Sequence, residues 1–450
     1  MTYTEDTYVE QPAINLFSEI DWQTLDCYAE TFGEQGLLGR DNRSEVVLTR
    51  ELRAALTEIN PDCTASEITL AVDELSRDRS AMSPIAANEE CYKLLREGVR
   101  AKADDENEDV VTVKVVDWKT ASNNRFLLCS QLWVTGEIET RRPDLIGFVN
   151  GLPLVFIELK AAHRQLIHAY KDNLADYKRV IPQLFDFNQL VILSNGVQSK
   201  VGTVSSQWEH FADWKKIERE NEPRVLSLET VIRGTCDKDR LIDLIENFIL
   251  FEKKKQTVKI IAKYHQFLGV NQALEGLNSI EEVQGKLGVY WHTQGSGKSF
   301  SMVFFCQKAF RKFPGNWTFV IITDRKDLDE QIYKTFKACG LLKVECQAES
   351  AADLQRLLSE DHRFVFSLIH KFRAEQGELY PMLSERNDVI VISDEAHRSQ
   401  YSTLAMNMRA ALPNAGFLAF TGTPLMGEEK PRDVFGDYVS VYNFADAVDD

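Results

Sequence analysis

The sequence predicts an α/β protein in which a small mixed unit precedes a parallel sheet covered on both faces. From Leu287 onward, continuous apolar runs alternate with helical stretches, the pattern of a parallel sheet buried under crossover helices. The first of these runs opens into Trp291-His292-Thr293-Gln294-Gly295-Ser296-Gly297-Lys298-Ser299, a glycine-bearing loop ahead of a helix,. Upstream, two apolar strands joined by the turn signal Asn150-Gly151 carry Asp144, Glu158 and Lys160 at otherwise core-like positions,.

A chain of 450 residues has room for two or three domains with large cores,. Hydrophobic content of 44% and charged content of 27% suit a soluble globular protein,. The eight cysteines are scattered without a C-x-x-C pair, which argues against a zinc ribbon or a disulfide framework and for reduced thiols in a cytoplasmic setting,. No apolar run reaches the ~18 residues of a membrane span, and the N-terminus lacks the plan of a signal peptide. A net charge of −17 counts against a whole-surface nucleic-acid binder, while leaving room for local basic grooves,.

In chain order, residues 1–20 read as a poorly structured lead-in. Ile20 to Pro61 reads as helix with a turn, from the spacing of Trp22, Leu25, Tyr28 and Phe32 and then of the apolar positions up to Ile59,. Ser66–Leu75 and Asn88–Gly98 are further packing helices, and residues 104–109 a solvated acidic loop. Val110–Val116 and Phe126–Val134 read as strands, followed by the hairpin 144–160,. Ala161–Val180 is helical, Leu184–Leu193 a strand, and Leu226–Phe251 helical again. The lysines at 253, 254, 255, 259 and 263 form the densest basic stretch. They read as a solvated face or, alternatively, as a phosphate-contacting stripe.

The hairpin carries the pattern P-D-x(13)-E-x-K. Glu158 and Lys160, two apart, share one strand face,. A tight Asn150-Gly151 loop with an unbroken ladder sets Asp144 opposite Ile157. One bulge or a longer loop shifts the register and brings Asp144 across from Glu158. Pro153 marks such an irregularity, so a bulge is predicted,. Two carboxylates and the Leu159 carbonyl are hard oxygen ligands suited to Mg2+, with Lys160 placed to orient a water or stabilise developing charge in phosphodiester hydrolysis. The plainer alternative is an amphipathic strand with solvated charges. It fits poorly, because Val155, Phe156 and Ile157 are all apolar,.

Three features fall at strand ends in the second half, where ligands of parallel sheets bind. At 295–299, backbone N–H groups can wrap a triphosphate, Lys298 can reach its β- and γ-phosphates, and Ser299 can bind Mg2+. The strict pattern G-x-x-x-x-G-K-[ST] is broken, because His292 stands at its first glycine,. Asp394-Glu395-Ala396-His397 follows an apolar strand. Asp394 suits Mg2+, Glu395 the attacking water, and His397 a link to the neighbouring motif,. Thr421-Gly422-Thr423-Pro424 follows the next strand.

These three segments resemble motifs I, II and III of superfamily-2 helicase-like motors. Placed after Pro143-Asp144 and Glu158-Leu159-Lys160, the whole chain resembles the restriction (R, HsdR-like) subunit of type I restriction-modification enzymes, in which a histidine at the position of His292 is usual. The resemblance implies a PD-(D/E)xK endonuclease domain over 1–225, a helical linker over 226–260 and the first RecA-like motor lobe over 261–450. It implies ATP and Mg2+ as cofactors, with Asp144, Glu158, Ser299 and Asp394 as metal ligands. Duplex DNA and the methylation and specificity subunits would be partners, with no membrane. Asp144, Glu158 and Lys160 would be the nuclease residues. The family's Gln-x-x-x-Tyr element matches Asn173 to Tyr177, with the glutamine replaced. Gln266 resembles an adenine-reading glutamine, Thr293, Gln294, Gly295, Ser296, Gly297, Lys298 and Ser299 the phosphate loop, and Thr323-Asp324-Arg325 a DNA-facing segment.

Family members carry a second lobe with an arginine finger, worth ~10³-fold or more in related phosphoryl transfer. The resemblance therefore implies a fragment holding the first lobe only, with weak or no ATPase of its own. Two other readings stay open: a stand-alone nuclease-helicase of DNA repair, and a non-catalytic DNA- or partner-binding scaffold.

Overall fold

The computed structural model describes residues 6–102, 110–220, 222–223, 225–342, 346–373, 380–394, 401–424 and 433–449. The acidic stretch 104–109, Glu395 and His397 lie outside them. The chain divides into two compact units: one is built from residues 1–217, 222–250 and 257–264, the other from 218–221, 251–256 and 265–450.

In the first unit, helix α1 (Gln11–Glu19) leads into strand β1 (Gln23–Asp26). Both correct the sequence reading. Pro12 starts α1, which buries Ala13 and Phe17,. The three-residue spacing around Trp22 is met by a strand, since Gln23–Asp26 pairs in parallel with Leu127–Ser130. Trp22 is fixed by edge-on contacts with Phe17 and Phe126 and by its Nε1 bond to the Cys236 carbonyl, at 2.9 Å. Helices α2 (Thr49–Ile59), α3 (Ala65–Ser76) and α4 (Pro84–Glu97) follow as the apolar spacing predicts, α3 with a reciprocal Thr64–Glu67 capping box,.

Strands β2 (Phe126–Ser130), β3 (Leu145–Val149), β4 (Leu152–Leu159), β5 (Leu190–Ser194), β6 (Ser199–Gly202) and β7 (Ala212–Asp213) complete a seven-stranded sheet in the order β1 to β7. The β1–β2 and β4–β5 pairs are parallel; the others are antiparallel. Between β4 and β5 the helical segment starts only at Leu166, widens to a π-helical turn over Ala169–Leu174, and ends as α5 (Ala175–Val180). The helix expected over Leu226–Phe251 is two, α6 (Ser227–Cys236) and α7 (Lys238–Asn247), with the Asp237 carboxylate accepting from the Arg240 N–H at 3.3 Å. A two-stranded hairpin, Ile249–Lys253 with Thr257–Ile261, follows.

Lys259 departs from both readings of the basic stretch, being 1% exposed, whereas Lys253, Lys254, Lys255 and Lys263 are exposed as a solvated face would be. The Lys259 ammonium donates to Asn88 Oδ1 at 2.8 Å, to the Asn188 carbonyl at 2.7 Å and to Gln189 Oε1 at 2.7 Å. Burial pushes its pKa down, and three acceptors for three N–H donors compensate for the lost water.

The second unit holds α8 (Tyr264–Glu275), β8 (Lys286–His292), α9 (Lys298–Lys312), β9 (Thr318–Thr323), α10 (Lys326–Ala338), α11 (Ala351–Ser359), β10 (Phe364–Leu368), β11 (Val389–Asp394), α12 (Tyr401–Ala411), β12 (Gly416–Thr421) and β13 (Tyr438–Tyr442). Its six strands run parallel in the order β10-β9-β11-β12-β8-β13. Every residue of β9, β11 and β12 is buried, as strands covered on both faces must be,. The expected strands are all present; the edge strand β13 was not foreseen. No helix among the described residues is long and apolar enough to cross a membrane.

Candidate functional site

The first candidate site is built by the β3–β4 hairpin. Its two-residue turn has positive φ at both positions, 51° at Asn150 and 79° at Gly151, the left-handed pair that matches strand twist,. Asn150 is fully buried and its amide donates to the Val115 carbonyl and Asn124 Oδ1, each at 2.9 Å. A Cβ on Gly151 would stand 2.6 Å from the Leu48 carbonyl oxygen. The predicted bulge is present: Phe148 pairs with Pro153 but Gly147 with Val155, so Leu154 is extra. The Leu154 carbonyl turns to β5 instead, accepting from the Gln189 N–H at 2.7 Å and from Asn188 Nδ2 at 3.3 Å. These are the two residues that Lys259 holds.

Beyond the bulge Leu145 pairs with Ile157, so the next pair along is Asp144 and Glu158. Asp144 Oδ2 accepts from the Leu159 N–H at 2.8 Å. Glu158 is 1% exposed, and its Oε1 lies 2.5 Å from Lys160 Nζ, which also donates to the Leu159 carbonyl at 2.9 Å. Asp144, Glu158 and Lys160 are thus brought together at the end of the hairpin.

Tyr177 joins them from α5. Its hydroxyl donates to the Arg142 carbonyl at 3.3 Å, and its ring packs edge-on against Phe156. Burial pushes its pKa up, and the charges of Glu158 and Asp144 push it further, so the phenol stays neutral. Asn173 offers it a side-chain hydrogen bond across one helical turn. The Asn173-to-Tyr177 match therefore reaches the carboxylates. The oxygen donors here, two carboxylates and a backbone carbonyl, fit a hard divalent ion. Among the described residues no third acidic, histidine or cysteine side chain joins them.

The second candidate site lies at the carboxyl ends of β11, β12 and β8. Register aligns these ends: Asp394 pairs with Phe420, and Thr421 with Trp291. Asp394 closes β11 and is 7% exposed. Thr421 Oγ1 donates to the Thr423 carbonyl at 2.8 Å, which curls the segment after β12. The loop after β8 leaves Gln294 and Gly295 exposed and Ser299 in the first turn of α9, where backbone N–H groups have no intrahelical partner. Gly297 has φ 86°, and a Cβ there would stand 2.7 Å from Gln266 Nε2. Gln266 grips the loop, donating to the carbonyls of Gly297 at 3.1 Å and Ser296 at 3.4 Å. Lys298 Nζ bridges the loop to the His292 carbonyl at 3.1 Å.

His292 is fully buried. Its Nε2 lies 2.6 Å from Ser440 Oγ, and Ser440 donates to Glu220, whose other oxygen accepts from the Val441 N–H at 2.8 Å. With Glu220 ionised, the one Ser440 proton points to it, so His292 Nε2–H donates to Ser440. Burial, His265 and Lys298 hold the His292 pKa well below its usual value; burial raises that of Glu220. Sequence reading missed Glu220 and Ser440, and no local signal marks them: 148 positions separate Ser440 from His292.

Comparison with known proteins adds two family matches. The family model described as "Type I restriction enzyme R protein N terminus" matches residues 2–210, and that described as "SWI2/SNF2 ATPase" matches residues 265–450. The chain is 38% identical over 475 aligned positions to the type I restriction enzyme HindI endonuclease subunit of Haemophilus influenzae, covering 98% of this chain and 45% of that protein. It is 34% identical to the MjaIXP endonuclease subunit of Methanocaldococcus jannaschii, covering 90% of this chain and 41% of that one. Among solved structures, the UvsW helicase of bacteriophage T4 aligns with a TM-score of 0.33 at 16% identity, over 45% of this chain and 66% of that one. The chain thus spans less than half the length of these two curated relatives; over residues 2–210 it carries the N-terminal domain family of type I restriction enzyme R proteins, and over 265–450 the SWI2/SNF2 ATPase domain family.

Proposed function

We propose that the chain is the nuclease and first motor lobe of a restriction subunit that cuts DNA with Mg2+ and draws duplex DNA toward the cut with ATP. In this reading residues 1–225 form the PD-(D/E)xK domain, 226–260 couple it onward, and 261–450 form a RecA-like lobe. The observation that carries it is the bulged hairpin, which sets Asp144 across from Glu158 with Lys160 bonded to the same carboxylate. An amphipathic strand would leave these charges in water, yet Glu158 is 1% exposed.

Mg2+ held by Asp144, Glu158 and the Leu159 carbonyl would polarise the scissile phosphate and acidify a bound water. Lys160 pins the Glu158 carboxylate and stands ready to offset charge developing on the phosphate,. The Leu159 N–H fixes Asp144, and neutral Tyr177 borders both carboxylates. In the motor lobe, the α9 N-terminus and Lys298 would receive the phosphates of ATP. Ser299 and Asp394 would take its Mg2+, Glu395 the attacking water, and His397 the link to the segment after β12. Gln266 would carry the adenine contact to the loop it grips.

The test is Lys160→Ala in the full-length subunit, reconstituted with methylation and specificity subunits. Cleavage should fall by about 100-fold or more, while ATP turnover persists. Undiminished cleavage would refute the nuclease assignment.

A further inference from the structure

The loop between β1 and α2 has no regular secondary structure, yet it is tied down from inside. Arg40, 1% exposed, forms a buried ion pair with Glu30. It also donates to the carbonyls of Glu45 at 2.8 Å and Trp133 at 3.1 Å. These bonds hold the loop against the segment that leads into Asp144.

On the outer side four side chains meet. The Arg142 guanidinium lies 5.1 Å from the ring centroids of both Tyr28 and Trp133. That of Arg43 lies 5.3 Å from the Trp133 ring, and the two rings are 6.3 Å apart. Tyr28 is 48% exposed.

Two facts set this cluster apart from ordinary packing. Neither Arg43 nor Arg142 has a carboxylate partner among the described residues, whereas the neighbouring Arg40 and Arg141 are ion-paired. In a chain with 69 acidic and 52 basic residues, two adjacent arginines left on aromatic faces with no carboxylate beside them suit a polyanion,. The cluster also adjoins the carboxylates. The Arg142 carbonyl receives the hydroxyl of Tyr177, whose surroundings include Glu158 and Asp144. One residue therefore has its backbone at the nuclease site and its guanidinium in the aromatic cluster.

We propose that Tyr28, Trp133, Arg43 and Arg142 form a strand-holding platform for DNA. An unstacked base lies on Tyr28, the two guanidiniums take adjacent phosphates, and the next phosphodiester is presented to Asp144, Glu158 and Lys160. The inference rests on the nuclease reading and adds a substrate state to it. A base face is available only where the duplex is locally unpaired, so the site takes single-stranded or frayed DNA.

The test uses the 450-residue chain in EDTA, with a single-stranded oligonucleotide carrying 2-aminopurine and a duplex of the same sequence. Binding should quench the probe in the single strand. Tyr28→Ala should abolish the quench and weaken single-strand binding about tenfold, with a much smaller change for duplex, and Tyr28→Trp should restore both. Arg142→Ala should reduce the salt slope of binding by about one. An unaltered melting temperature of Tyr28→Ala separates lost contact from lost fold. Wild-type binding by Tyr28→Ala and Trp133→Ala, or equal weakening on both DNAs without a quench, would overturn the platform even if Lys160→Ala abolishes cleavage. If cleavage survives Lys160→Ala, the nuclease reading fails, and with it the platform's role in presenting a scissile phosphate, whatever the binding data.

Discussion

Asp144 stands across the hairpin from Glu158 because one residue, Leu154, is left out of the ladder. Without that omission each acid would face the opposite side of the sheet from the other. The extra residue is held in place from behind: Gln189 and Asn188 take its carbonyl, and the buried Lys259 takes them.

Lys259→Met is therefore predicted to cost the first unit about 3 kcal/mol, because it takes the donor from two buried side-chain oxygens, Asn88 Oδ1 and Gln189 Oε1, and one of two donors from the Asn188 carbonyl,. Urea unfolding followed by a signal from the first unit, such as Trp22 fluorescence, measures this. A change under about 0.5 kcal/mol, the scale of a surface substitution, would contradict the assignment.

Tyr177→Phe keeps the ring on Phe156 and deletes the hydroxyl that bonds the Arg142 carbonyl. Cleavage by the reconstituted enzyme should drop about 10- to 100-fold, as for other partners that orient ligating groups. DNA binding in EDTA should be unchanged. Full cleavage would remove Tyr177 from the site.

Gly297→Ala is predicted to weaken ATP binding about tenfold or more. A left-handed alanine costs ~1–2 kcal/mol, and its Cβ would meet Gln266 Nε2 at 2.7 Å. Titration with a fluorescent ATP analogue reads the effect. Wild-type affinity would show that the loop does not need the left-handed glycine.

His292 is held neutral by burial, with its pKa depressed. The unfolded chain then binds the extra proton first, so stability is complete above pH ~6.5 and is lost as pH falls toward the folded pKa. Glu220, with its pKa raised by burial, acts in the opposite sense. The informative quantity is thus the difference between wild type and His292→Asn. Melting temperatures taken from about pH 7.5 to about pH 5 should fall more steeply for wild type. Parallel curves would show that His292 titrates normally.

Local pattern in the sequence determined much of this protein. Strand periodicity and the Asn150-Gly151 turn defined the hairpin, Pro153 marked the bulge beside it, and the apolar runs after Leu287 gave the parallel sheet. Each depends on residues close together in the chain. Tertiary structure alone decided what depends on distant partners. Strand β1 exists because β2 pairs with it, against a helical spacing. Lys259 is a buried anchor rather than a surface cation because Asn88, Asn188 and Gln189 converge on it. His292 is buried against Ser440 and Glu220, which no nearby residue announces. A lysine or histidine reads the same in sequence whether water or three protein acceptors surround it, and only the fold chooses between them.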